Sequence, residues 1–145
     1  MRSKVAAIFD RINEGDYSAM VDALAPAFEY RFHGEHALGG RRTTVAAMNR
    51  WWQRIFRLLP GVRFDIREVL VDGSPWRTRV AVRAEVAGEL PGGALYRNTV
   101  FQFLTLAWGR VTSVETLEDL QVLEAALHAV GDAGNAEALA DPETD

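Results

Sequence analysis

The spacing of apolar residues changes partway along the chain, and that change separates helices from strands. Val5, Ile8, Phe9 and Ile12 fall on one helical face, so the spacing predicts a helix over residues 3–13, stopped by Glu14-Gly15-Asp16. Met20, Val21 and Leu24 predict a second, short helix over 17–25, ended by Pro26. Residues 28–33 alternate, Phe28, Tyr30 and Phe32 against Glu29, Arg31 and His33, which predicts a strand with His33 on its polar face. A long helix follows, with a Thr of the pair Thr43-Thr44 as candidate N-cap and Val45, Met48, Trp52, Ile55, Phe56 and Leu59 as its core stripe up to Pro60. Arg50, Arg54 and Arg57 occupy the opposite, solvated face of that helix, and Trp51 lies between the two faces.

From Val62 onward the period is two. Strands are predicted over 62–71, 76–86, 95–106 and 110–117, joined by turns at Asp72-Gly73-Ser74-Pro75, Pro91-Gly92-Gly93 and Trp108-Gly109, which makes an antiparallel meander. Leu120, Leu123, Ala126 and Leu127 predict a closing helix over 119–130. Residues 131–145 are acidic and Ala-rich with no core stripe, and read as a mobile tail behind a domain of residues 1–130. Helices first and sheet later is an α+β order, and a strongly bent sheet wrapped around the long helix leaves a conical pocket suited to a small apolar molecule.

Composition narrows the function classes. A chain of 145 residues, 48% apolar and 25% charged, is an ordinary soluble domain large enough for a real core. No cysteine is present, so disulfides, thiolate metal sites and a cysteine nucleophile are excluded. Five acids and no base lie in 131–145, which leaves the body at +1 of the net −4, without the basic surplus of a nucleic-acid binder. No stretch approaches the roughly 20 apolar residues of a membrane span, and the apolar run after the start is cut by Asp10 and Arg11, too short for a signal peptide. A cytoplasmic protein is the expectation.

The segment Phe-His-Gly-Glu-His-Ala-Leu-Gly-Gly over residues 32–40 holds two of the three histidines with Glu35 between them. His33 and His36 are candidate base or proton donor, since histidine titrates nearest neutrality. Three metal ligands rarely converge at such short loop spacing, so no metal is expected from His33, Glu35 and His36. Strand alternation puts Tyr96, Asn98, Val100, Gln102 and Leu104 on one face and Arg97, Thr99, Phe101 and Phe103 on the other. It separates Glu115 and Leu117 from Val114, Thr116 and Glu118 in the same way, so only one of the two acids points inward. Glu118 and Asp119 also stand where they would stabilise the start of the closing helix.

The element order, with Ile-Asn-Glu-Gly-Asp-Tyr ending the first helix, the histidine segment before the long helix and Trp-Gly-Arg-Val-Thr-Ser-Val-Glu-Thr-Leu-Glu-Asp in the last strand, resembles the nuclear-transport-factor-2-like superfamily, and within it the SnoaL-like polyketide-cyclase branch. The resemblance spans about residues 3–128 and implies the cone-shaped fold, a small apolar ligand, no cofactor and a homodimer paired through the sheet. Ketosteroid isomerases in the superfamily keep a carboxylate base at the end of the first strand and a Tyr and a protonated Asp as oxyanion donors. The matching places here hold Arg31 or His33, Ile8, and the neighbourhood of Phe101 and Gln102. Limonene-type epoxide hydrolases use an Arg-x-Asp on the second meander strand; Arg79 matches the Arg, Ala81 replaces the Asp, and Glu115 takes the acidic position on the last strand. SnoaL-type cyclases use an acid in that last strand, a place that Glu115 or Glu118 fills. The resemblance therefore implies cofactor-free acid/base chemistry (isomerisation, cyclisation, dehydration or hydration) with His33, His36 and Glu115 as catalytic candidates. Tyr30, Trp51, Trp52, Arg79, Asn98, Gln102 and Glu118 are the candidates for substrate binding. Trp76, Phe64, Phe101 and Phe103 are expected to add aromatic wall. The alternative is a non-catalytic ligand-binding or dimerisation module of the same fold, which a filled cone would favour.

Overall fold

The computed structural model describes residues 1–145. Helix α1 (Arg2–Asn13) buries Val5, Phe9 and Ile12, and Gly15 at φ 87° turns the chain out of it. Helix α2 is shorter than the spacing predicts, Ser18–Asp22, with the Asp16 carboxylate accepting from the Ser18 backbone N–H at 3.0 Å. Its last residues instead join strand β1 (Leu24–Phe32), which contains Pro26. The register of β1 against its neighbour shifts between Leu24 and Glu29, and that irregularity accommodates a residue with no N–H to give.

A short strand not foreseen from the sequence, β2 (Gly40–Arg42), pairs antiparallel with β1. Helix α3 (Val45–Leu58) follows, capped by Thr44, whose hydroxyl accepts from the Ala47 N–H at 3.2 Å. The meander is β3 (Arg63–Ser74), β4 (Arg77–Glu89), β5 (Leu95–Ala107) and β6 (Arg110–Glu118), and helix α4 (Leu120–Asp132) closes the fold behind an Asp119 cap. The six strands form one curved, unclosed sheet in the order β2-β1-β6-β5-β4-β3, antiparallel throughout except that β1 runs parallel to β6.

One apolar core lies between the concave face of the sheet and the helices, with Met48, Trp51, Trp52 and Ile55 of α3 in its middle. A bulge between Ile66 and Glu68 switches the faces of β3, so that Val69 turns inward and Leu70 outward. Phe101, Phe103 and Leu117 join Leu70 on the outer face, each about half exposed. Two expected wall residues are thus absent from the interior, because Phe101 and Phe103 alternate with the buried Val100, Gln102 and Leu104. Trp76 is likewise 63% exposed, in the β3–β4 turn and against Trp108 of the β5–β6 turn.

The acidic segment, expected as a mobile tail, is laid across α3. A 3-10 turn over Ala136–Leu139 buries Ala138, and Glu137 and Glu143 meet the arginine face that the sequence suggested would be solvated. Arg54 on that face is only 6% exposed.

Candidate active site

The interior of the cone is built by alternate residues of five strands, with the expected wall residue Phe64 from β3 and Val86 from β4 among them. Tyr30 and Phe32 reach it from β1, Thr116 and Glu118 from β6, and Tyr96, Val100 and Gln102 from β5, facing Trp51, Trp52 and Ile55 of α3. Glu118 is the last residue of β6 and pairs with Val100, a buried core position, so its side chain turns inward while Glu115 turns out. Tyr96 donates from its hydroxyl to Glu118 Oε1 at 2.6 Å, and Asn98 Nδ2 donates to the Tyr96 hydroxyl at 2.6 Å. Asn98 is fixed in turn, its Nδ2 on the Asp119 carbonyl at 3.0 Å and its Oδ1 on the Thr99 N–H at 2.8 Å. Asn98, Tyr96 and Glu118 therefore form a directed relay ending on a buried carboxyl.

Burial pushes the Glu118 carboxyl up to about 7, and the hydrogen bond from Tyr96 only partly opposes it. Burial, with Glu118 beside it, raises the Tyr96 phenol well above its ordinary range, so it remains a donor at any working pH. Tyr30, wholly buried, is pushed to about 12. Two further polar atoms in this wall are buried without a partner: Gln102 Oε1, an acceptor, and Trp52 Nε1, a donor. Such atoms cost stability where they stand, and a bound molecule with a matching donor and acceptor would satisfy both. The enclosed space among them is small, about 20 Å3, enough for a single water.

The histidines lie elsewhere. His33 follows the inward Phe32 and points to the outer face, where its Nε2 meets Glu115 Oε1 at 2.5 Å. This pair sits at one side of an outer groove of about 530 Å3 walled by Leu70, Phe101, Phe103 and Leu117. Gln102 adjoins both the groove and the cone, but the sheet separates the pair from Tyr30 and Asn98, so the catalytic and binding candidates are not all brought to one place. His36 is buried with both ring nitrogens occupied: Nε2 donates to the His33 carbonyl at 2.9 Å and Nδ1 accepts from the Leu38 N–H at 3.2 Å. These bonds fix the neutral ring, and burial lowers its pKa. A Cβ on Gly34 would meet this ring at 2.6 Å, so His36 and Gly34 together shape the turn. Arg79 stands on the outer surface against Asp72 at 3.2 Å. No three His, Asp or Glu side chains converge on a point that would hold a metal ion.

Trp51 donates from Nε1 to the Leu38 carbonyl at 2.8 Å, which uses its polar atom on the loop and leaves its rings for the wall. Two residues of consequence were outside the sequence candidates. Tyr96 shares the inward period of Asn98 and Gln102, a signal available in the sequence. Arg42, fully buried beneath Tyr30 and Trp51 with its guanidinium 5.8 and 5.1 Å from their rings, gave no signal, because it lies on the unforeseen β2.

A family model described as a SnoaL-like domain matches residues 5–114. No curated protein matches the sequence. Among solved structures the chain is similar to a protein described as a SnoaL-like polyketide cyclase from Jannaschia sp. CCS1, at 20% identity and a TM-score of 0.69 over 86% of this chain and 88% of that one. It is similar to IdmH of Streptomyces antibioticus, described as a polyketide cyclase, at 18% identity and 0.71 over 88% and 97%. A nuclear-transport-factor-2-like protein of Burkholderia thailandensis E264 superposes at 0.74 with 18% identity over 86% and 95%. At such identities the likeness is one of fold.

Proposed function

The chain belongs to the SnoaL-like domain family, and from that premise we propose that it is a small-molecule enzyme whose reaction is proton transfer by Glu118 inside the cone. The observation that carries this reading is the buried carboxyl at about 7, aligned by Tyr96 and Asn98. A group poised there is populated as acid and as base near neutrality, which suits it to take a proton and return it. Ionised Glu118 takes a proton from carbon next to a carbonyl. Trp52 Nε1–H, with no partner of its own, donates to the oxyanion that forms, and Gln102 Oε1 accepts from a hydroxyl of the same molecule. Isomerisation, aldol cyclisation and dehydration each contain this step and hydration its reverse, and no cofactor is needed for it.

The test needs no knowledge of the natural substrate. Small neutral ketones are incubated with the protein in deuterated water, and deuterium uptake next to the carbonyl is followed by NMR. Catalysed uptake is expected, and Glu118→Gln should lower it by about 100-fold or more. Uptake at the same rate in both proteins would sink the assignment.

One observation favours a second reading: a cavity of about 20 Å3 holds no substrate of that kind unless its walls move. In that reading the cone is filled core and the working surface is the outer face, where the groove of about 530 Å3 receives a second copy of the chain. The homodimer itself is compatible with both readings, and we propose it from the exposed Leu70, Phe101, Phe103 and Leu117.

A further inference from the structure

Between α3 and the acidic segment lies a cluster of ion pairs that also grips the loop closing the cone. Arg57 donates from Nε and Nη2 to the two carboxylate oxygens of Glu137 at 2.7 and 2.6 Å. Arg54 reaches Glu137 at 3.3 Å and Glu143 at 3.2 Å, while its Nη1 donates both to the Asp141 carbonyl at 2.7 Å and to the Ala37 carbonyl at 2.9 Å. Arg42 does the same from β2, Nε to the Glu143 carbonyl at 2.8 Å and Nη2 to the Gly39 carbonyl at 2.5 Å. Arg50 holds Glu143 at 3.1 Å, and the Asp145 carboxylate accepts from the Thr43 and Thr44 N–H groups at 2.7 and 3.1 Å. Two buried arginines thus staple residues 141–143 to residues 37–39.

That loop is a wall of the cone. Leu38 lines the interior, and its carbonyl holds Trp51. Gly34 and Gly40 bracket the loop at φ 105° and 92°, conformations that favour glycine and permit a hinge. The acidic segment lies directly on the second of these, where a Cβ would meet Thr144 at 3.1 Å and Pro142 at 3.3 Å. The closed arrangement is not saturated, since Arg42 Nη1 is buried without a partner, so closure carries a cost set against its ion pairs.

We propose that residues 137–145 are a latch: the Glu137 and Glu143 carboxylates on Arg50, Arg54 and Arg57, the Asp145 carboxylate on Thr43 and Thr44, and the Glu143 carbonyl on Arg42 hold loop 34–40 down and the cone shut, and their release opens the interior to a small apolar ligand. The latch rests on the cone as the ligand site, and is independent of what Glu118 does there. It accounts for an apolar interior that holds two unpartnered polar atoms, Gln102 Oε1 and Trp52 Nε1, and has room for no more than a water. Because Arg50 and Arg57 are half exposed and the two glutamates they hold are partly so, these outer pairs are screened by salt and the latch is weakened by it.

The full chain is compared with a Glu137→Gln/Glu143→Gln/Asp145→Asn variant, which keeps the shape of the segment and neutralises the three carboxylates that hold it. The probe is the neutral fluorophore N-phenyl-1-naphthylamine, with hydrogen exchange of residues 36–40 as the second readout. The variant is expected to bind the probe roughly tenfold more tightly and to exchange faster at the loop, and the unmodified chain to approach it in about 0.5 M NaCl. The salt arm needs no substitution, so it still decides the matter if the variant folds poorly. Equal probe affinity at all salt concentrations, or unchanged loop exchange, overturns the latch. So does loss of probe binding in Phe103→Asp, which would put the probe on the outer groove. The probe is not turned over, so failure of deuterium uptake at Glu118 leaves these outcomes readable.

Discussion

Glu118 and Glu115 are three residues apart on one strand and have opposite surroundings, one under Tyr96 in the core and one beside His33 at the surface. The difference has a thermodynamic signature. The native Glu118 carboxyl keeps its proton to about pH 7, whereas the unfolded chain releases it near 4.5. Between these values the native state binds more protons, so this residue's contribution to stability falls as pH rises through that window and is flat above it. The size is on the order of 3 kcal/mol. Urea unfolding from about pH 4.5 to 8 should therefore show Glu118→Gln gaining on the unmodified chain by that order as pH rises; parallel curves would mean an ordinary solvated carboxyl. His36 acts in the opposite sense. Its lowered pKa lets the unfolded chain take a proton that the native ring refuses, so stability is lost on acidification below about 6.5. In His36→Gln that acid-side loss should shrink in the same urea series, whatever the variant's absolute stability. Alternation in the sequence separated the two acids but left open which faced inward; the Val100–Glu118 pairing decides it, and pairing partners are not written in a single strand.

Elements with a long apolar period were legible, and the exceptions are short or irregular. Helices α1, α3 and α4 and the four meander strands stand where the period puts them, within a few residues. Strand β2 has three residues, too few to show a period, and β1 begins before Pro26 because an irregular register there spares a ladder hydrogen bond. Asp119, read as a cap from its position alone, accepts from the Gln121 and Val122 N–H groups at 3.0 and 3.4 Å. Asp119→Ala should lower stability by about 1 kcal/mol in thermal or urea unfolding, and Asp119→Asn by clearly less. Equal losses would mean that charge, and not the cap hydrogen bonds, matters at that helix end.

At the scale of the molecule, the arginine face and the acidic segment were each visible in the sequence, and their meeting was not. Arg54 and Glu137 are 83 residues apart, and nothing local to either says that it has a partner. The outer face is the other large-scale feature. A half-exposed apolar sheet surface of four large side chains is expected to pair two copies, so light scattering at micromolar protein should give twice the 16.1 kDa chain mass, and Phe103→Asp should give the monomer. A clean monomer before substitution would refute the dimer.

The parallel pairing of β1 with β6 has a kinetic consequence. Leu24–Phe32 finds its central neighbour only in Arg110–Glu118, so the edge of β1 that β6 covers stays uncovered until the last hairpin of the sheet has left the ribosome. Joining strands some eighty residues apart is a late and entropically costly closure, and α1, α2 and α3 cannot be sealed against a finished sheet before it. The nascent chain therefore carries its first strand, with Phe28, Tyr30 and Phe32 on one face, unpaired along that edge for most of its synthesis.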